Sequence, residues 1–227
     1  QSRSSAASDV YKRQGLGGGS GGGGFGGGVT VGGGKVFVAS GYRVMTAFDA
    51  NTGAELWRST VDLPIHGAPT VAGQRVYVVD VDNQLIAFNV NTGQQDWSYR
   101  GITEPARIMR ASSPAVSGDT VLAPFSSGQI VALRASNGQP VWEQVLSRTS
   151  RTSALSELRD IAGRPVVSRG QVYAISQSGV MQAMDLRSGQ PKWSLPVAGV
   201  NAPLPVGDVV YVCLLYTSDA ADDLLCV

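Results

Sequence analysis

The sequence predicts an all-β chain of repeated four-stranded antiparallel units, the architecture of a β-propeller. Three observations carry this. Four segments align without gaps: AFDANTGAELW (Ala47–Trp57), AFNVNTGQQDW (Ala87–Trp97), ALRASNGQPVW (Ala132–Trp142) and AMDLRSGQPKW (Ala183–Trp193). Upstream of each comes a strand-like run, KVFVAS, RVYVVD, TVLAPF or QVYAIS, whose Val36, Val76, Val121 and Val172 stand 21 residues before the Trp. Pro69, Pro114 and Pro165 stand 28 residues before theirs. Coincident spacings of this kind mark one supersecondary unit copied along a chain.

Each unit reads as four short strands in order. The first is P-x-V, closed by a Gly-containing turn as in PTVAG and PAVSG. The second is the β-branched and aromatic run, such as RVYVV, ended by a polar turn such as DVDNQ or SQSG. The third, as in QLIAFNV, leads to N-T-G or a variant of it, and the fourth holds the Trp. Gly, Asn, Asp and Ser at the breaks supply turn chemistry. Asn51-Thr52-Gly53 and Asn91-Thr92-Gly93 fit hairpin loops with Gly in the left-handed conformation. No segment from Val29 to Leu146 has a convincing helical period. Gly53, Trp57, Gly93, Trp97, Gly138, Trp142, Gly189 and Trp193 therefore read as a structural motif. Each Trp packs its large ring on the neighbouring unit, each Gly shapes a turn, and each Ala lies where strands approach closely.

The connections between units vary while the units do not. From each Trp to the next Pro there are 12, 17 and 23 residues. Variable loops on one face of a rigid array are the usual place for binding. The two longest are YRGITEPARIMRASS (Tyr99–Ser113) and SRTSRTSALSELRDIAGR (Ser147–Arg164). In the second, Ala154, Leu155 and Leu158 have the spacing of a short helical turn.

Composition narrows the function classes. The 227 residues carry a formal net charge of +1 and 15% charged residues, against about 25% for soluble domains. A charge this close to zero argues against a nucleic-acid partner, and no apolar run approaches the ~20 residues that span a bilayer. Fourteen of the 29 glycines lie in one run from Gly15 to Gly34. The ends differ from the middle. Residues 1–14 (QSRSSAASDVYKRQ) and 213–227 (CLLYTSDAADDLLCV, with both cysteines, Cys213 and Cys226) resemble translated sequencing-adapter read-through. The expected organisation is a non-native or disordered leader at 1–14, a partial propeller at 15–212 and a non-native tail at 213–227. Blades are expected near 15–60, 66–100, 111–146 and 162–198, with the start of a fifth at 202–212.

The blade motif A-x-D-x-x-T-G-x-x-x-W is similar to that of PQQ-like (WD40-like) β-propeller repeats. Within that group the chain resembles the BamB family of outer-membrane assembly lipoproteins. The resemblance covers residues 15–212 and is most specific over SALSELRDIAGRPVVSRGQVYAISQSGVMQAMDLRSGQPKW. It implies an eight-bladed ring, of which about four blades and the start of a fifth are here. It also implies a scaffold at the periplasmic face of the outer membrane of a Gram-negative bacterium. Any membrane attachment would come from a lipid anchor absent from this stretch. The implied partner is the barrel subunit BamA, with unfolded outer-membrane proteins as further clients. In the family that contact uses two adjacent inter-blade loops. The match places Met109 and Arg110 in one loop and Asp160 in the other, while a second acidic position of the family falls on Ala162. An apolar residue beside Arg makes a plausible hot spot. Asp160 could pair with a basic partner, or with Arg159 or Arg164.

The competing expectation is a fragment of a PQQ-dependent alcohol or sugar dehydrogenase, which shares the blade motif. Such a site needs a vicinal Cys pair, an Asp base and oxygen ligands for Ca²⁺. Both cysteines of this chain, Cys213 and Cys226, lie in its last fifteen residues, thirteen positions apart, so they form no vicinal pair. Asp80-Val81-Asp82-Asn83 offers oxygens but lacks the Gly and distal Glu of a calcium loop. His66, the single histidine, is expected in a loop just before a first strand and cannot build a zinc site alone. The Gly run matches G-x-G-x-x-G without a flanking strand and helix. The sequence reads as non-enzymatic, with no catalytic, cofactor or metal residues.

Overall fold

Residues 27–102, 112–146, 161 and 163–214 are described by the structure, a computed structural model. They form β-strands in chain order. The first sheet holds β1 (Val29–Gly32), β2 (Lys35–Ser40), β3 (Val44–Asp49) and β4 (Glu55–Thr60). The second holds β5 (Ile65–Ala72), β6 (Arg75–Asp80), β7 (Gln84–Asn89) and β8 (Gln95–Arg100). The third holds β9 (Ala115–Ser117), β10 (Thr120–Pro124), β11 (Gln129–Arg134) and β12 (Pro140–Val145). The fourth holds β13 (Val166–Ser168), β14 (Gln171–Ser176), β15 (Val180–Asp185) and β16 (Pro191–Leu195), followed by a hairpin of β17 (Leu204–Val206) and β18 (Val209–Tyr211). Every sheet keeps its strands in sequence order, and no helix occurs among the described residues. This is the all-β array of propeller blades that the repeat spacing predicts. Two compact units divide it, one with the first and second sheets, the other with the third, the fourth and the hairpin.

The spacing of the repeat has a simple origin in the ladder. The Ala ten residues before each Trp is its cross-strand partner: Ala47 with Trp57, Ala87 with Trp97, Ala132 with Trp142 and Ala183 with Trp193. All four alanines are fully buried. Just after each Ala the register shifts, a bulge that bends the strand at the same point in every sheet. The turn that follows is closed by the repeat glycine. Gly53, Gly93, Gly138 and Gly189 have φ of 71°, 70°, 71° and 71°, the left-handed region where a Cβ is disfavoured. Their N–H groups donate to the carbonyls of Asp49, Asn89, Arg134 and Asp185.

Middle strands carry the burial. From Phe37 to Ser40, Val76 to Asp80 and Val121 to Pro124 the chain is buried without alternation, as expected for strands covered on both faces. In the first unit Phe37, Met45, Trp57, Val76, Val78, Ile86 and Phe88 share one cluster. In the second, Leu122, Ile130, Trp142, Leu146, Ile161, Val172 and Met184 share another. First strands lie side by side, β1 with β5 in one unit and β13 with both β9 and β17 in the other. Fourth strands are exposed at Leu56, Val141 and Val145 while Trp57 and Trp142 are buried, and β16 is exposed throughout, Trp193 included. One expectation fails. His66 lies inside β5, paired with Val79, rather than in a loop before it, because β5 extends back past an irregularity between His66 and Thr70.

Candidate functional site

The connections between sheets emerge at the end where the second strand of each sheet turns into the third. Backbone hydrogen bonds tie the two features together. Val61 N–H donates to the Arg43 carbonyl at 2.9 Å and Val81 N–H to the Pro64 carbonyl at 3.0 Å. In the second unit Leu146 N–H donates to Gly128 at 2.8 Å, Ile161 N–H to Phe125 at 3.5 Å and Gly199 N–H to Ser176 at 3.4 Å. Loops that vary in length thus start from fixed points on the rigid sheets.

In the second sheet this turn is built around Asp80. Its Oδ1 accepts the N–H of Asp82 at 2.8 Å and of Gln84 at 2.9 Å, an Asx-type turn. Asp80 is buried, and that burial pushes its carboxyl above the ordinary range against the two N–H donors that pull it down. The charge of Asp82 adds to the rise, and Arg100 opposes it. Arg100, at the end of β8, donates to Gln84 Oε1 at 3.1 Å and lies 3.8 Å from Asp82 Oδ2. Ser40 and Ser176 do the same job neutrally in the first and fourth sheets, accepting the N–H of Tyr42 and Ser178 at 3.1 Å. The segment Asp80–Asn83 is therefore a turn in which Asp80 satisfies nearby backbone N–H groups. Among the described residues no group of three or more His, Cys, Asp or Glu is placed to hold a metal ion.

The third sheet departs from this pattern. Phe125 and Gln129 bound its turn and are both buried. The Ser127 hydroxyl between them is buried with no hydrogen-bond partner among the described residues. The connection leaving the second sheet begins against this turn, where Ile102 N–H donates to Gln129 Oε1 at 3.2 Å. Its far end is fastened to the first strand of the second sheet. There Ala68 N–H donates to Ser113 Oγ at 3.0 Å and Thr70 Oγ1 to the Pro114 carbonyl at 2.6 Å.

Met109, Arg110 and Asp160 lie outside the described residues, as do Ala162 and the expected helical turn at Ala154–Leu158. The structural motif residues are in view. Trp57 lies against Gly93 of the next sheet and Trp142 against Gly189 of the next, while Trp193 is 37% exposed. Trp97 and Gly138 occupy the same positions in their own sheets. Spacing did not single out Gln129, because it acts through a contact with Ile102, which belongs to a connection and to no repeat position.

The sequence profile described as "Outer membrane protein assembly factor BamB" matches residues 3–222. This chain belongs to the BamB family. The BamB protein of Salmonella typhimurium is 37% identical over 185 residues, covering 81% of this chain and 47% of that protein. The crystal structure of BamB from Moraxella catarrhalis matches with a TM-score of 0.75 at 24% identity, over 82% of this chain and 56% of that one. A quinohemoprotein alcohol dehydrogenase from Comamonas testosteroni shares the fold at 14% identity, with a TM-score of 0.64, over 82% of this chain and 39% of that one. The chain spans about half the length of the curated BamB relatives it matches.

Proposed function

We propose that this chain is part of a non-enzymatic scaffold of the outer-membrane β-barrel assembly machinery. It docks on a periplasmic domain of BamA through its inter-sheet connections and assists insertion of outer-membrane proteins. The observation that supports this most is the family profile running through residues 3–222 of the 227, together with relatives named as outer-membrane assembly factors. The place of action is then the periplasmic face of the outer membrane of a Gram-negative bacterium, with the full-length protein held there as a lipoprotein. Met109 and Arg110 in one connection and Asp160 in the other are the proposed contact residues. Their chemistry suits a partner surface with an apolar pocket flanked by charge.

A pull-down of the soluble periplasmic segment of BamA by this chain, with Arg110→Glu and Asp160→Lys variants, tests the reading. Binding by the wild type that weakens in both variants is expected. Binding that neither variant alters would refute the loop assignment. Titration with pyrroloquinoline quinone and Ca²⁺ tests the scaffold role itself, since stoichiometric cofactor uptake with alcohol oxidation would replace it by a dehydrogenase.

A further inference from the structure

Asn137-Gly138 is the one Asn–Gly pair in the sequence. It lies in the turn between β11 and β12, where Asn137 is exposed and Gly138 takes a φ of 71°. The Asn137 side chain folds back along the chain, because its Oδ1 accepts the Gln139 N–H at 3.1 Å. This Asx turn brings the side-chain amide carbon over the peptide that joins Asn137 to Gly138. Glycine has no Cβ to keep the two apart. One contact opposes their reaction. The Gly138 N–H is donated to the Arg134 carbonyl at 2.8 Å, so the nitrogen keeps its proton.

The equivalent turns of the other sheets lack the pair and are capped more fully. Thr52, Thr92 and Ser188 stand where Asn137 does, and each hydroxyl accepts the N–H two residues on at 3.3 Å. In the first and fourth sheets Asp49 and Asp185 each accept two further backbone N–H groups and a hydroxyl. In the second sheet Asn89 accepts two N–H groups from the same position. In the third sheet that position is Arg134, whose exposed guanidinium carries donors and no acceptor. The Asn–Gly pair therefore sits in the turn whose capping position cannot hold it shut.

We propose that Asn137 is a site of spontaneous covalent modification, gated by the opening of its own turn. When the Gly138 N–H leaves the Arg134 carbonyl, the Gly138 nitrogen attacks Asn137 Cγ. The N–Cγ bond forms, the Cγ–Nδ2 bond breaks, and the side-chain nitrogen departs as ammonia with the proton that Gly138 gives up. Water then opens the succinimide, at Cγ to give aspartate or at the main-chain carbonyl to give isoaspartate. Either product adds a negative charge to the turn. Isoaspartate also lengthens the backbone by a methylene, which moves Gly138 out of register with Arg134.

Incubation of the full chain at mildly alkaline pH, followed by digestion and mass spectrometry, tests it. The mass gain of an amide-to-acid conversion, with isoaspartate, is expected in the peptide holding Asn137, ahead of those holding Asn51, Asn91 and Asn201. Urea should speed the gain about tenfold, because unfolding releases the hydrogen bond on the Gly138 nitrogen. Arg134→Asp installs the cap of the first and fourth sheets. It should slow the gain about tenfold in the folded chain and leave the rate in urea unchanged. Asn137→Ser should abolish the gain in that peptide. A folded chain whose Asn137 stays an amide while the unfolded chain converts overturns the site. Equal rates with and without urea overturn the gating, and an unchanged folded rate in Arg134→Asp overturns the part given to the missing cap.

Discussion

The indole N–H of Trp57 donates to the backbone carbonyl of Val90 at 3.0 Å, across the boundary between the first and second sheets. The contact is two-sided. A Cβ on Gly93 would lie 2.5 Å from Trp57 Cε3, and Ser59 Oγ donates to the Gly93 carbonyl. Trp142 repeats it between the third and fourth sheets, donating to Leu186 at 2.9 Å with its ring against Gly189. Trp57 and Trp142 are therefore each read by the turn of the following sheet, and Gly93 and Gly189 are required twice, for their φ and for their missing side chain.

Gly93→Ala is accordingly expected to destabilise more than an ordinary left-handed glycine replacement. Gly73 is the control, because its φ is 57° and nothing lies within 4 Å of an added Cβ. Gly73→Ala should cost about 1 kcal/mol from backbone strain alone. Gly93→Ala should cost about 2–4 kcal/mol, because the overpacked ring adds its own penalty. Urea denaturation of the two variants decides it, and equal midpoints would show that the ring moves freely.

Tryptophan replacements should differ by sheet. Trp142 is buried at 9% exposure and its N–H is used, whereas Trp193 is 37% exposed. Trp142→Phe leaves the Leu186 carbonyl without its donor and should cost about 2 kcal/mol. Trp193→Phe should cost less than about 1 kcal/mol, in the range of a partly exposed change. The same denaturation curves measure both, and a larger loss at Trp193 would contradict the packing.

The repeat spacing made the strands and their turns legible because each spacing is a ladder relation. Ala47 and Trp57 are ten apart in sequence because they face each other across β3 and β4. The spacing also marked Gly93, but not that it serves the Trp of the preceding sheet. A contact between repeats leaves the same trace in a sequence as a contact within one. Position His66 was misread because the Pro at 69 suggested the strand's start, yet β5 continues back to Ile65 through an irregular stretch. Gln129 was invisible for a different reason. Glutamine is common on surfaces, and only burial with a main-chain donor 27 residues away makes it an anchor. The third sheet likewise breaks the acidic turn pattern, with Arg134 where the first and fourth sheets have Asp49 and Asp185. Its turn relies instead on Asn137 Oδ1 accepting Gln139 N–H at 3.1 Å.

Asp80 should give the protein an unusual dependence on pH. Its folded carboxyl titrates above the ordinary value of about 3.9 because it is buried. The stability linked to its protonated form is fully present below that ordinary value and is lost as pH rises through the raised folded value. Asp80→Asn keeps an oxygen to accept the N–H groups of Asp82 and Gln84 and removes the titration. The variant should therefore be at least as stable as the wild type at neutral pH, with the largest gain above the folded value. Urea midpoints across the acid range check this. A variant less stable at every pH would mean that the charge itself holds the turn.

Asp49 and Asp185 should act in the opposite direction. Each accepts two backbone N–H groups and a hydroxyl in its turn, from Asn51 and Thr52 in one case and Arg187 and Ser188 in the other. These bonds, those of Thr52 and Ser188 foremost, hold both carboxyls below the ordinary range, with Lys35 and Lys192 assisting. Their stabilisation is present above about 3.9 and is lost as pH falls through the lowered folded values. Asn89 forms the same turn in the second sheet without a charge, accepting from Asn91 and Thr92. The double variant Asp49→Asn/Asp185→Asn should thus fold with its turns intact and lose less stability than the wild type on acidification below about pH 4. Thermal unfolding followed at several acidic pH values measures this. An unchanged slope would show that the two carboxylates gain nothing from their turns beyond what an amide supplies.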